Sequence, residues 1–150
     1  MVVNVLDDKI INELMKLSKI AVKKDEVPVG AVIVFNNKII AKGYNKRNKS
    51  NLTIDHAEII AITKASKKLK DWRLSECDLY VSLEPCEMCK SIIKEARLKN
   101  VYYLVSQNSD KVQHNKTEFI KLDNKKSNIY NKIYSEYKKQ LSDFFLDKRW

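Results

Sequence analysis

The sequence predicts an α/β fold in which helices cover both faces of one sheet, and two observations carry this prediction. The first is a pair of apolar runs over 29–35 and 38–44, separated by Asn36 and Asn37, which tolerate positive φ and indicate a tight hairpin. The second is the alternation of helical and extended patterns that follows His56. The first run is apolar on both faces, which is typical of a central strand with a layer packed on each side.

The individual elements follow from local patterns. An N-terminal helix is predicted by Ile10, Leu14, Leu17 and Ala21, which recur at helical spacing after the cap candidates Asp7 and Asp8. The rest of the chain predicts a loop over 45–54, a helix over 56–70, a strand over 79–83, a helix over 86–97, a strand over 101–105, a helix around 117–122, a short strand near 127–130 and a final helix over about 133–148. In that last helix, Phe144 and Phe145 are interpreted as core residues rather than as a base-stacking platform.

Length and composition predict one globular domain over residues 1–150. Hydrophobic residues make up 44% and charged residues 32% of the 150 residues, and no low-complexity linker or internal repeat divides the chain. No apolar run approaches the roughly 20 residues of a membrane span, so we expect no transmembrane segment. The N-terminus carries no basic leader or cleavage site, and the expected location is the cytoplasm.

The chain is strongly basic, with 29 Lys and Arg against 19 Asp and Glu and a formal net charge of +10. This balance suits a polyanionic partner such as nucleic acid or an anionic membrane surface. A second interpretation stays open, because the chain is rich in Lys, Asn and Ile, as an AT-rich genome would produce by codon drift.

Three residues have the type and spacing of a metal site. Cys86 and Cys89 are at i and i+3 near the start of a predicted helix, so their sulfurs share one face of its first turn. Helix N-terminal amides favour the thiolate form, which is the form that binds metal. With His56 they make a donor set that suits Zn²⁺, and three protein ligands leave a position for water, as in catalytic zinc sites.

Glu58 is the candidate general base beside this centre. Two thiolates and a neutral imidazole cancel the charge of Zn²⁺, so the metal is a weaker Lewis acid and its water benefits from a carboxylate. Residues two apart do not share one stripe of a helix. We therefore expect His56 at the helix threshold and Glu58 just inside it.

Other interpretations of these residues remain open at this stage. The two cysteines could form a redox pair, and Cys77 could be a fourth, structural ligand instead of a small buried thiol. Asn45 is by default a turn residue, although its place opposite the loop before His56 makes a substrate contact plausible. A non-catalytic zinc protein that uses the same fold is a further class, and three ligands with an intact Glu58 argue against it.

The sequence resembles the zinc-dependent cytidine and nucleobase deaminases, whose signature is His-Ala-Glu followed by Pro-Cys-x-x-Cys. Here these motifs are 56–58 and 85–89. Flanking blocks are similar to the bacterial tRNA-specific adenosine deaminases, which convert the wobble adenosine of an anticodon to inosine. These blocks are Val-Pro-Val-Gly-Ala at 27–31, Leu-Tyr-Val-Ser-Leu-Glu-Pro-Cys at 79–86 and Leu-Ser-Asp-Phe-Phe at 141–145.

The resemblance implies specific roles. It makes His56, Cys86 and Cys89 the ligands of one zinc ion per subunit and Glu58 the proton shuttle. It also implies that Asn45 hydrogen-bonds the base, in a pocket lined by Val29 and the Ala57 backbone.

The resemblance further implies a cytidine deaminase-like α/β/α sandwich around a five-stranded mixed sheet, a homodimer, and a tRNA anticodon stem-loop as substrate and partner. One stretch departs from the pattern. The tRNA enzymes usually carry Gly-Ala-Arg-Asp after the fourth strand, whereas 104–110 has neither Gly nor Arg, and the region to about 131 is rich in Lys and Asn. A deaminase of a free base or nucleotide, of guanine or cytosine type, is therefore the alternative function.

Overall fold

The secondary structure is that of an α/β protein, and the computed structural model describes residues 5–107, 117–123 and 129–148. The helices in these ranges are α1 (Val5–Lys23), α2 (Arg47–Ser50), α3 (Ala57–Leu69), α4 (Glu87–Glu95) and α5 (Tyr130–Lys148). The strands are β1 (Gly30–Phe35), β2 (Lys38–Tyr44), β3 (Asp78–Leu83), β4 (Asn100–Val105) and β5 (Glu118–Lys121). None of these helices is both long and apolar enough to span a bilayer.

The five strands form one mixed sheet in the order β2-β1-β3-β4-β5. Strand β1 is antiparallel to both of its neighbours, and β3, β4 and β5 are parallel to one another. Since β2 and β3 are both antiparallel to β1, they run in the same direction and end at the same edge of the sheet. We call this the carboxyl edge. Helix α4 begins directly after β3, and α3 begins after the segment that follows β2, so both helices start there.

Two apolar clusters, one on each face of the sheet, make the core. In β1, Ala31 and Ile33 pack into the cluster beneath α3 and α4, whereas Val32 and Val34 pack into the cluster beneath α1 and α5. This alternation confirms β1 as a central strand buried on both faces. The predicted three-layer sandwich with a five-stranded mixed sheet is likewise confirmed.

Helix α5 is fastened to the sheet by a buried hydrogen-bond chain. The Tyr137 hydroxyl donates to the Pro28 carbonyl oxygen at 2.6 Å, and the Ser82 hydroxyl donates to Tyr137 at 2.9 Å. The Gly30 backbone N–H donates to the Ser82 oxygen at 3.1 Å. The chain fixes α5 against β1 and β3, and burial raises the pKa of Tyr137 well above its ordinary value.

One predicted helix is wrong, because the segment around 117–122 forms the edge strand β5. Its residues pair in parallel with β4, from Glu118 opposite Asn100 to Lys121 opposite Tyr103. Phe119 and Ile120 are both half-buried and, as neighbours in a strand, point to opposite faces of the sheet. Pairing with the open side of β4 satisfies backbone groups that a single isolated helical turn would leave to solvent.

Several other elements also differ from the predictions. The expected loop over 45–54 contains the short helix α2, and α5 begins at Tyr130 instead of near residue 133. The predicted helix over 86–97 is shorter at both ends, since α4 covers Glu87–Glu95. Of the predicted strand near 127–130, residues 127 and 128 lie outside the described ranges, and Tyr130 already belongs to α5.

Candidate active site

His56, Cys86 and Cys89 converge at the carboxyl edge of the sheet. His56 is the residue before the first turn of α3, and Cys86 is the residue before the first turn of α4. The His56 Nδ1 atom lies 3.7 Å from the Cys86 Sγ and 3.3 Å from the Cys89 Sγ, and all three donor atoms lie within 4.8 Å of one another. The chain therefore brings its three predicted metal ligands to one point.

The three donor atoms fit a tetrahedral zinc ion. With a Zn–N distance near 2.0 Å and a Zn–S distance near 2.3 Å, two ligands at the tetrahedral angle stand about 3.5 Å apart. The two observed N···S separations, 3.7 and 3.3 Å, lie on either side of this value. Two thiolates and one imidazole also compensate the charge of a divalent cation, so the chemistry of the donor set agrees with its geometry.

The pKa values of the two cysteine thiols are shifted in opposite directions. Hydrogen bonds from Cys89 and His56 lower the pKa of the Cys86 thiol to about 3. The same interaction raises the pKa of Cys89 above its ordinary value, because the proton on Cys89 is held by the Cys86 thiolate. A cation between the two sulfurs would take the place of that proton.

Glu58 lies in the first turn of α3 and is buried beside this cluster. Its residue exposure is 4%, and burial raises the pKa of its carboxyl to about 7. His56 precedes the helix and Glu58 is inside it, which is the arrangement that the sequence predicts. A carboxyl whose pKa is close to neutral can both accept and release a proton, as a general acid and base must.

Asn45 connects the end of β2 to the start of α3. Its Oδ1 atom accepts a hydrogen bond from the Ala57 backbone N–H at 2.8 Å, and its own backbone N–H donates to the Val29 carbonyl oxygen at 3.3 Å. The close approach of β2 and α3 requires Gly43, since a Cβ atom there would lie 2.5 Å from the Ala57 carbonyl oxygen. Asn45 is thus a turn residue and also a wall of the site.

A cavity of about 160 Å³ opens beside Glu58 and the metal-ligand cluster. This is smaller than the roughly 300–1,000 Å³ of most ligand pockets and suits a group the size of one heterocyclic base. Val29 and Asn45 are among the residues that line it, whereas Ala57 is buried and is not among them. The other lining residues are Glu26, Val27, Arg47, Asn48, His56, Glu58, Leu83, Glu84, Cys86, Gln107 and Phe145.

The sequence interpretation of Phe145 as a core residue is wrong. Phe144 is buried, but Phe145 is 47% exposed and lines the cavity. Adjacent residues on a helix point about 100° apart, and Phe145 therefore lies at the edge of the apolar stripe that buries Tyr137 and Phe144. Phe144 is two helical turns from the buried Tyr137 and shares its side of α5, whereas Phe145 does not. This spacing is the sequence signal that distinguishes the two phenylalanines.

Glu84 holds together the cavity wall that lies between β3 and β4, a role that the sequence did not predict. Its carboxylate accepts hydrogen bonds from the Lys90 Nζ at 2.9 Å and from the Gln107 backbone N–H at 2.9 Å. Its carbonyl oxygen accepts a hydrogen bond from the Gln107 Nε2 at 2.8 Å. Both members of the ion pair are buried, with side chains only 3% and 6% exposed for Lys90 and Glu84.

Glu26 has a similar role on the opposite wall. Its buried carboxylate accepts hydrogen bonds from the backbone N–H groups of Asn48 at 3.0 Å and Lys49 at 2.9 Å. These N–H groups lie in the first turn of α2 and have no partner within the helix, and α2 has no side-chain cap at its N-terminus. The carboxylate therefore explains why a short helix forms where the sequence indicates only a loop.

Cys77 is not part of the cluster. It is buried and precedes β3, whereas Cys86 follows the same strand, so the length of a six-residue strand separates them. In the described part of the chain, the metal-ligand group contains His56, Cys86 and Cys89 without a fourth residue. The interpretation of Cys77 as a small buried thiol agrees with its position, and the interpretation as a fourth ligand is wrong.

A three-layer sandwich that brings a histidine, two cysteines and a buried glutamate to one sheet edge defines the class of cytidine deaminase-like enzymes. A family model described as MafB19-like deaminase matches residues 6–149. The chain belongs to this deaminase family, and its curated relatives are tRNA-specific adenosine deaminases.

Two curated relatives illustrate the relationship. The chain is 36% identical over 140 residues to the tRNA-specific adenosine deaminase of Rickettsia typhi, and this match covers 91% of the chain and 95% of that protein. The tRNA-specific adenosine deaminase of Rickettsia bellii is 50% identical over 93 residues, which cover 61% of the chain and just under two thirds, 64%, of that protein.

Solved structures show the same fold. A tRNA:A34 deaminase studied for A-to-I editing at the wobble position of transfer RNA matches with a TM-score of 0.69 and 31% identity, covering 77% of this chain and 99% of that chain. The guanine deaminase of Bacillus subtilis matches with a TM-score of 0.62 and 40% identity, covering 65% of this chain and 63% of that chain.

Proposed function

We propose that this chain is a zinc-dependent hydrolase that converts the wobble adenosine of a tRNA anticodon to inosine and releases ammonia. The observation that carries the chemistry is the buried Glu58 beside the converging donor atoms of His56, Cys86 and Cys89. The substrate is supported by the tRNA-specific relatives, one of which aligns over nearly its full length.

His56, Cys86 and Cys89 would hold one zinc ion per chain. When bound, zinc supplies the Lewis acidity that makes water a usable nucleophile at neutral pH. The protein groups do the rest of the chemistry. Glu58 takes a proton from the attacking water, delivers a proton to N1 of the adenine ring, and then assists departure of the amino group from C6 as ammonia.

Asn45 orients the base. Because its side-chain oxygen is engaged by the Ala57 N–H, the amide offers its –NH₂ group as a donor to an acceptor atom on the ring. Val29 supplies an apolar wall, and the small cavity limits the site to one base that has left the stack of its neighbours. Water is largely excluded from the Glu58 carboxyl, which keeps its proton affinity high.

The test is inosine formation by the zinc-loaded protein on an anticodon stem-loop with adenine at the wobble position. Free adenosine, guanine and cytosine are assayed beside it, with Glu58→Ala as the blank. We expect inosine in the stem-loop alone. Unmodified RNA together with ammonia released from a free base would contradict the proposed substrate.

Deamination of free guanine is the second candidate, and the similarity to the guanine deaminase of Bacillus subtilis favours it. Both candidates use the same proton chemistry, so the substrate comparison above separates them. A polyanionic substrate would bind with an affinity that falls steeply as salt rises, whereas a free base would not.

Two further expectations from the family accompany this proposal. A homodimer is expected, and sedimentation equilibrium of the full chain would test it. A tRNA substrate also implies a cytoplasmic enzyme, which fractionation of the source cells would test.

A further inference from the structure

The two long sides of α5 differ in their charge. On the side that faces α1, lysines and carboxylates alternate along a groove, which is lined by Lys16, Lys19, Lys132 and Lys139 and by Asp25, Glu136 and Asp143. Lys139 bridges Asp143 at 2.9 Å, so its charge is balanced locally. On the other side of the helix, Lys138 has no carboxylate within salt-bridge distance in the part of the chain that the structure describes.

Two lysines converge on one tyrosine on this second side. The Lys121 Nζ lies 4.9 Å from the centroid of the Tyr134 ring, and the Lys138 Nζ lies 5.4 Å from it. The Lys121 ammonium also donates a hydrogen bond to the Tyr130 hydroxyl at 2.9 Å. Both lysines are exposed and Tyr134 is half-buried, which concentrates positive charge around an accessible aromatic face.

This cluster shares a helix stripe with a residue of the active-site cavity. Tyr134 and Phe145 are eleven residues apart, which is three turns of an α-helix to within about 20°. Phe145 lines the same cavity as His56 and Glu58. At 1.5 Å per residue, the two rings are about 16 Å apart along the helix. We call Lys121, Tyr134, Lys138 and Phe145 the α5 strip.

We propose that the α5 strip binds the RNA chain that flanks the base held in the cavity, an inference that rests on the proposed function. Lys121 and Lys138 would contact phosphates, and Tyr134 and Phe145 would offer faces for stacking, which is how proteins bind single-stranded nucleic acid. On the groove side, the three carboxylates would offset much of the attraction of the lysines for the same polyanion. A single nucleoside is too short to reach from the cavity to Tyr134, so the strip favours an oligonucleotide over a free base.

The test compares two variants with the same loss of charge on the same part of the fold. Lys121→Gln with Lys138→Gln removes two charges from the strip, and Lys132→Gln with Lys139→Gln removes two from the groove side. Each full-length, zinc-loaded protein is titrated with the anticodon stem-loop at several salt concentrations. Thermal unfolding is measured in parallel, and Lys138→Gln alone is compared with Lys132→Gln alone in case the loss of the Lys121 hydrogen bond impairs folding.

For the strip variant we expect Kd for the stem-loop to rise about tenfold or more at low salt. Its slope of log affinity against log salt should fall by about 1.5, the change expected for two lost phosphate contacts. The groove-side variant should stay near the unmodified protein. An equal loss of affinity in both variants, or no loss in the strip variant, would contradict RNA binding by the α5 strip and leave the proposed function standing. Failure of the unmodified protein to bind the stem-loop would overturn both the strip and the proposed function.

Discussion

The side-chain oxygen of Asn45 accepts a hydrogen bond from the Ala57 backbone N–H at 2.8 Å, which joins the end of β2 to the first residue of α3. One side chain thereby satisfies a helix N-terminal N–H and stands in the wall of the cavity. Since the oxygen is occupied, the remaining hydrogen-bonding capacity of the amide is that of a donor. This separates the structural role of the Asn45 oxygen from the substrate-binding role that we propose for its –NH₂ group.

Replacing Asn45 by Asp should remove the proposed donor to substrate and keep the acceptor for the Ala57 N–H. An Asp carboxylate keeps an acceptor for the Ala57 N–H but has no –NH₂ group, so we expect the melting temperature to change little and kcat/KM to fall at least about tenfold. Asn45→Ala removes the acceptor as well and should cost a further 1 kcal/mol or so of stability, as loss of a helix cap does. Thermal unfolding and steady-state kinetics on the stem-loop check both. An Asp variant with full activity would mean that the donor has no role.

Glu58→Gln should preserve the protein and abolish its reaction. Glutamine has the shape of the glutamate but cannot carry a proton between water and base, and general acid–base catalysis is worth about 10²- to 10⁴-fold in rate. We therefore expect a zinc content and melting temperature close to those of the unmodified protein, with nearly complete loss of turnover. Metal analysis measures the zinc content, and single-turnover inosine formation measures the loss of activity. Normal turnover by this variant would remove Glu58 from the proton pathway.

The sequence predicts the metal-ligand cluster well because its signals are local. His56 and Glu58 are two residues apart, Cys86 and Cys89 are three apart, and both pairs lie at the start of a helix. Parallel direction of β2 and β3 then brings the two helix starts together at the carboxyl edge. A few short-range patterns and one topological fact are enough to assemble this part of the site.

The rest of the cavity depends on contacts that sequence spacing does not reveal. Glu26 reaches the free N–H groups of α2 from more than twenty residues away, and Glu84 reaches Gln107 across neighbouring strands. The predicted helix around 117–122 rests on a short apolar pattern without a clear period, and pairing with β4 makes this segment a strand instead. Each of these outcomes is a tertiary effect that overrides a weak local preference.

Removal of the zinc ion that we propose should loosen the carboxyl edge of the sheet. His56 and Cys86 stand at the starts of two different helices, so an ion held by both of them and Cys89 cross-links α3 and α4. A ligand present at a hundredfold excess over its Kd stabilises the folded state by about 2.7 kcal/mol. We expect chelation to lower the melting temperature, and added Zn²⁺ to restore it.

Cys86→Ser is the matched variant for this prediction. It should bind less zinc and melt near the temperature of the chelated protein, and chelator should then have little further effect. Cys77→Ser is the control, since Cys77 is a buried thiol outside the cluster, and its response to chelator should be normal. Equal zinc content and equal chelator response in Cys86→Ser and the unmodified protein would contradict the assignment of Cys86 as a ligand.

Lys90 should stabilise the fold mainly because it neutralises the buried charge of Glu84, and less because the two groups attract each other. The Lys90 Nζ lies 2.9 Å from a Glu84 oxygen, and it also lies 5.5 Å from the centroid of the Phe119 ring. Lys90→Met removes the positive charge and leaves a buried carboxylate without its partner. Breaking a buried pair in this way costs about 3–5 kcal/mol, so we expect a large loss of unfolding free energy in denaturant titrations.

A second substitution should recover much of that loss. In the double variant Lys90→Met with Glu84→Gln, a neutral amide replaces the carboxylate, and its oxygen can still accept the Gln107 backbone N–H that Glu84 now binds at 2.9 Å. Neutral replacements of buried ion pairs are often close to isoenergetic with the original pair. We expect the double variant to be more stable than Lys90→Met alone and to retain binding of the stem-loop, because Gln107 keeps its anchor at the cavity wall. A double variant no more stable than Lys90→Met would show that packing around the lysine stem, and not the unbalanced charge of Glu84, causes the loss.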